Sequence, residues 1–120
     1  MENILKEFEV LQKNLNDLPI ENLSDYDLSK TALFIVDINI LNDIDNVVVV
    51  GDCTDICIYQ FVVTLKAYFN EKNINKNIVV PMNLVDTYDI PFVHPGDLLN
   101  VVFFNSMIQN GVKLIKKFSL

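Results

Sequence analysis

The sequence predicts an α/β domain, three-layered and built on a mostly parallel sheet of about four strands. Three observations carry this. Short, continuous apolar runs, notably Thr31–Val36 and Asn46–Val50, have the composition of strands buried on both faces, as in parallel sheets. After the second of these, segments with helical periodicity alternate with further apolar runs. The resulting order of strand, strand, helix, strand, helix, strand is that of a βαβ protein with one crossover helix missing.

Each element has its own warrant. Ile4, Phe8, Leu11 and Leu15 recur at helical spacing among charged residues, which predicts an amphipathic first helix ending before Pro19. Asn16 to Lys30, rich in Asn, Asp and Ser, reads as an extended arm packed on the domain. Thr31–Val36 and Asn46–Val50 are the first two strands, the first ending in Asp37 and the second in Gly51. Thr54 or Asp55 then caps a helix whose apolar face is Ile58, Phe61, Val62, Leu65 and Phe69, ending in the polar stretch Asn70–Asn77. Ile78–Val80 predicts a third strand that continues loosely to Val85. Pro91 to Gly96 is loop. Asp97 to Asn110 is a helix apolar nearly all round, expected to be well buried and closed by Gly111 as its C-cap, and Val112–Lys116 is the fourth strand.

At 120 residues, with 51% of them hydrophobic, one domain spanning 1–120 is expected, residues 1–30 being its N-terminal helix and arm. Sixteen acidic residues against nine lysines leave a formal charge of -7, the wrong sign for neutralising nucleic-acid phosphates. No basic stretch followed by an apolar one opens the chain, and no apolar run approaches the roughly 20 residues of a membrane helix. A cytoplasmic protein with neither nucleic-acid nor membrane partners is expected. Cys53 and Cys57 are the only cysteines, so no disulfide framework is implied.

Asp37 at the end of the first strand, Gly51 at the end of the second and Cys57 just inside the following helix occupy positions that line the crevice of open parallel sheets. A Cys at a helix N-terminus sits in a positive local field that favours its thiolate, and its own N–H is placed to face an oxyanion. An Asp within reach would take the thiol proton or hold it in an ion pair. The bland alternatives are a buried structural thiol at Cys57 and a strand-end carboxylate at Asp37 bonding loop N–H groups. Asp52 and Asp55 read as helix caps, and His94 as a loop residue.

Phe34-Ile35-Val36-Asp37, and above all Val49-Val50-Gly51-Asp52-Cys53-Thr54-Asp55-Ile56-Cys57-Ile58, resemble the two signature segments of the nicotinamidase and isochorismatase-like cysteine hydrolases. Val80–Asn83 and Thr87–Asp89 are similar to that family's later strand and loop. The resemblance implies Cys57 as nucleophile, Asp37 as its proton acceptor, and an oxyanion hole from the backbone N–H groups of Cys53 and Cys57, with a cis peptide before Cys53. Cys53 then contributes its backbone; the alternative is a redox partner for Cys57. Because isochorismatases of the family usually lack the Cys, the likeness favours the amide-cleaving branch, with a small carboxamide such as nicotinamide as substrate.

The family also has a long segment after the first-strand Asp, with strands, helices, metal-binding Asp and His residues and a catalytic Lys. Here that segment is absent. None of the nine lysines is equivalently placed, and the chain has a single histidine, so no cofactor is expected although relatives often bind a divalent metal. The implied fold is therefore a remnant of a 3-2-1-4-5-6 sheet, reduced to four contiguous strands. Asn39 to Asp45 gives seven linking residues, about 25 Å at full stretch, where parallel neighbours normally need about a dozen. The link runs extended across the sheet, or the first two strands form an antiparallel hairpin, or the first strand swaps into a second copy. An inactive remnant serving as an interaction or self-associating module is the alternative to the hydrolase.

Overall fold

A computed structural model describes residues 2–32 and 38–119. It contains three α-helices, α1 (Glu2–Asn16), α2 (Tyr59–Glu71) and α3 (Gly96–Gln109). The strands are β1 (Ile20–Asn22), β2 (Thr31–Ala32), β3 (Asn46–Val48), β4 (Gly51–Asp52), β5 (Asn77–Pro81), β6 (Val85–Asp86), β7 (Lys113–Ile115) and β8 (Lys117–Ser119). The protein is a mixed α/β structure in which strand pairing within each sheet is parallel.

The central sheet runs in the order β2-β3-β5-β7. Its register aligns Thr31 with Asn46, Val47 with Ile78, and Val80 with Leu114. Parallel pairing of β2 with β3 rules out the antiparallel hairpin. Thirteen positions separate Ala32 from Asn46, enough for a parallel connection, and Ile38–Asp43 among them coil into 3₁₀ turns. Leu33 to Asp37, which hold most of the expected first strand and its terminal Asp, lie outside the described residues.

Residue alternation splits the core between the two faces of the sheet. Val47, Val49, Ile78, Val80 and Leu114 face one cluster, together with Leu15 of α1, Val62, Leu65 and Phe69 of α2, and Phe104 and Met107 of α3. Val48, Val79 and Ile115 face the other side, where Phe118 and Tyr26 cover them. All three α-helices thus lie on one side, and among the described residues no helix longer than a single turn covers the second. The expected third layer is replaced by the arm and β8. The reason is topological: right-handed crossovers that all step the same way along a sheet put their helices on the same face, and the order β2-β3-β5-β7 never reverses direction.

The arm does more than drape over the core. β1 pairs in parallel with β8, Glu21 opposite Phe118, so the arm is stitched to the last strand. Tyr26 meets Phe118 at 5.6 Å between ring centroids and donates its hydroxyl to Glu21, which also pairs with Lys113 at 2.7 Å. Burial, then Glu21, raises the Tyr26 phenol well above its ordinary range.

Two helices depart from expectation in how they bury themselves. On α2, Val62, Leu65 and Phe69 are buried but Phe61 is 38% exposed, because the inward stripe follows steps of three and four that pass it by. On α3 only one side packs: Val101, Phe104 and Met107 are buried, whereas Leu98, Val102 and Ile108 remain partly open. Its expected closure is present. Gly111 has φ +86°, its N–H donates to Ile108 and the next N–H, of Val112, donates to Met107, the paired bonds of a Schellman cap. The same cap ends α2 with Asn73 at φ +54° and Ile74 N–H bonded to Phe69.

Candidate functional site

The site forms where β3 and β5 run out at the C-terminal edge of the sheet. Val49 still donates to Val79 at 2.9 Å, and then Gly51–Asp52 pair with Val85–Asp86 as a short extension. The strand expected to run on from Ile78 to Val85 is broken by 3₁₀ turns at Met82–Leu84, which offset β6 from β5. Gly51 has φ +142°, and a Cβ there would lie 3.2 Å from Cδ1 of Ile58. Only a residue without a side chain adopts this conformation readily and lets the strand come so close to the following helix.

From Asp52 the chain turns sharply. Cys53 is left-handed, φ +62° and ψ +70°, and its carbonyl accepts N–H bonds from Ile56 (3.0 Å) and Ile58 (3.2 Å). Thr54–Ile58 is one turn of π-helix leading into α2. The capping expected of Thr54 or Asp55 does not occur: Cys53 holds the cap position and its side chain makes no capping bond. No peptide among the described residues is cis, so the cis bond implied before Cys53 is replaced by left-handed backbone at Cys53 itself. π-turns of this kind are rare and concentrate at functional sites.

Cys57, on this turn, is exposed, and Cys53 is half-buried; both are free thiols. Burial, then Cys57, Asp52 and Asp55, push the Cys53 thiol up, which suits an inert side chain. Asp37, the expected proton acceptor, lies outside the described residues.

Asp55 has a role that the sequence reading missed. Its Oδ1 accepts from Thr87 Oγ1 at 2.6 Å and its Oδ2 lies 2.8 Å from His94 Nε2. The other ring nitrogen, Nδ1, lies 2.7 Å from the Tyr88 carbonyl, and the ring stacks on Tyr88 with 3.8 Å between centroids. The side chains of His94 and Asp55 are only 12% and 8% exposed. Burial by itself would lift the Asp55 carboxyl, but the bonds from Thr87 and His94 outweigh it and hold it below the usual range. Burial likewise opposes the charged imidazole, and the Asp55 bond followed by the Tyr88 carbonyl raises His94 above its ordinary 6.5. The loop reading of His94 is right as to backbone, yet its ring is an anchor. The available signal was its place: a lone imidazole in the loop after β6, at the strand ends where polar side chains converge.

Beside the turn, a shallow cleft of about 500 Å³ is lined by Gly51, Asp52, Met82, Asn83, Asp86 and Asn100, among others. Asn100 donates to Asp86 at 3.0 Å, while its own Oδ1 is buried without a partner among the described residues. The buried hydroxyl of Thr54 is in the same condition. The described residues contain no group of three or more His, Cys, Asp or Glu able to hold a metal ion, and both nitrogens of the sole histidine are already engaged. No helix among them is long and apolar enough to cross a membrane.

No family model, curated protein or solved structure matches the chain.

Proposed function

We propose that the chain is a cysteine amidohydrolase of nicotinamidase type, in which Cys57 attacks the carbonyl carbon of a small carboxamide such as nicotinamide. The observation that carries this reading is the exposed Cys57 thiol on a π-turn at the C-terminal edge of a parallel sheet. Open parallel sheets bind ligands at that edge. Attack forms a tetrahedral oxyanion that backbone N–H groups at Cys53 and Cys57 would stabilise. Collapse releases ammonia, with the proton held by Asp37 passing to the leaving nitrogen, and water then hydrolyses the thioester to the acid. The contiguous order β2-β3-β5-β7 supports the finer fold reading, since deletion of two edge strands from a 3-2-1-4-5-6 sheet would leave four neighbours in such an order. Incubation with nicotinamide should release ammonia in a manner abolished by Cys57→Ala. Equal background from both proteins would defeat the catalytic reading.

A second reading, an inactive remnant acting as a self-associating module, is favoured by one observation. The catalytic Lys and the several imidazole ligands that the likeness implies have no counterpart in a sequence with a single histidine and no equivalently placed lysine. In that case an exposed edge of β2 would pair with another copy. Light scattering showing a clean monomer would count against it.

A further inference from the structure

The loop between β6 and α3 is tied to the π-turn by polar side chains that converge on Asp55. Ile90 N–H donates to the His94 carbonyl at 2.9 Å and His94 N–H returns to Ile90 at 2.8 Å, closing a tight hairpin. At its tip Phe92 is left-handed, φ +63°, and fully open to solvent at 105% relative exposure, and Val93 beside it is 75% exposed. Neither apolar tip residue contributes burial that would hold the hairpin down. Its attachment to the start of α2 is instead polar, through His94 and Thr87 to Asp55.

Both partners of the His94 ring are acceptors: a carboxylate at Nε2 and a carbonyl at Nδ1. Only the imidazolium carries an N–H on both nitrogens. A neutral ring satisfies one acceptor and turns a lone pair toward the other. We propose that His94 is a proton-operated latch, closing the Tyr88–Gly96 loop onto the π-turn that carries Cys57 when the ring is protonated and releasing it when the ring is neutral. This device does not rest on the amide-cleaving reading, since it requires only the loop, the ring and Asp55.

The surroundings favour this assignment. The carboxylate facing the ring is Asp55, from the π-turn, and the titratable group stacked on it is Tyr88, from its own loop. Of the nearby acids, Asp89 is engaged by the Gly96 N–H at 2.8 Å, Asp86 takes N–H bonds from Thr87 and Asn100, and Asp97 opens α3. No lysine is bonded to either member of the pair among the described residues. The raised proton affinity of His94 follows from the same geometry.

Because the chain has one histidine, its ring resonances titrate without ambiguity. The test follows that titration by NMR in the full chain and, in parallel, the exchange protection of the Ile90 and His94 amides, corrected for intrinsic exchange. Protection of these two amides should be lost as pH rises, with the same midpoint as the ring. The Val49 amide, bonded to Val79 in the sheet, serves as control and should show no such step. In His94→Gln, which cannot titrate there, the step should vanish, and in Asp55→Asn the ring midpoint should fall. Loop protection that ignores the ring's titration, a step that persists in His94→Gln, or a midpoint at or below the ordinary value would each overturn the latch. The wild-type comparison decides the matter even where a variant fails to fold.

Discussion

His94 Nε2 lies 2.8 Å from Asp55 Oδ2, joining a loop after β6 to the turn that opens α2 across 39 positions of sequence. Its linkage to stability has two limbs of opposite sign. His94 is raised in the folded state, so its contribution is fully present below the ordinary value of 6.5 and is lost as pH rises through the raised value. Asp55 is lowered, so its contribution is present above the ordinary 3.8 and is lost as pH falls through the lowered value. Urea midpoints measured from about pH 3 to about pH 9 should therefore show a wild-type advantage over Asp55→Asn that peaks between these limits and shrinks on both sides. A pH-independent difference would contradict the ion pair.

Gly51 answers to backbone and packing together. Gly51→Ala puts a methyl 3.2 Å from Ile58 Cδ1 at a φ of +142°. We expect a loss of about 1–3 kcal/mol by urea denaturation, with the signal of the π-turn amides shifted. An unchanged midpoint would mean that this turn relaxes freely.

Thr54 offers the opposite sign. Its side chain is buried and its hydroxyl lacks a partner among the described residues. Replacing an unsatisfied hydroxyl by a methyl of the same shape removes a penalty, so Thr54→Val should be neutral or stabilising by up to about 1 kcal/mol. A clear loss of stability would show that the hydroxyl is bonded after all.

Neighbouring phenylalanines separate core from surface. Phe69 is buried against the sheet and Phe61 lies at the helix flank. Phe69→Ala should cost about 3–5 kcal/mol, and Phe61→Ala below about 1 kcal/mol. On the opposite sheet face, Phe118→Ala should also cost about 3–5 kcal/mol, because it uncovers Val48, Val79 and Ile115.

Cysteine labelling bears directly on the proposed nucleophile. Cys57 is exposed, while Cys53 is half-buried with its thiol pushed up. Limited iodoacetamide treatment near neutral pH, read by peptide mass spectrometry, should modify Cys57 first. Preferential labelling of Cys53 would reverse the roles assigned to the pair.

Local pattern was enough to determine the helices, the apolar runs that became β3, β5 and β7, and the Gly111 cap, because periodicity and φ preference act within a few residues. It also singled out the stretch from Gly51 to Cys57, whose Gly and Cys stand out from their neighbours. Three matters were decided only by tertiary structure. The uneven cover of the two sheet faces depends on the direction in which strands are added, which no local segment encodes. The union of β1 with β8 joins segments almost a hundred positions apart, roughly the reach of a whole domain, and neither strand alone has a pattern that names its partner. The pairing of Asp55 with His94 likewise needed β6 laid beside β4, since each residue read separately is an ordinary cap or loop residue and acquires its chemistry only when the fold brings charge and imidazole to one edge.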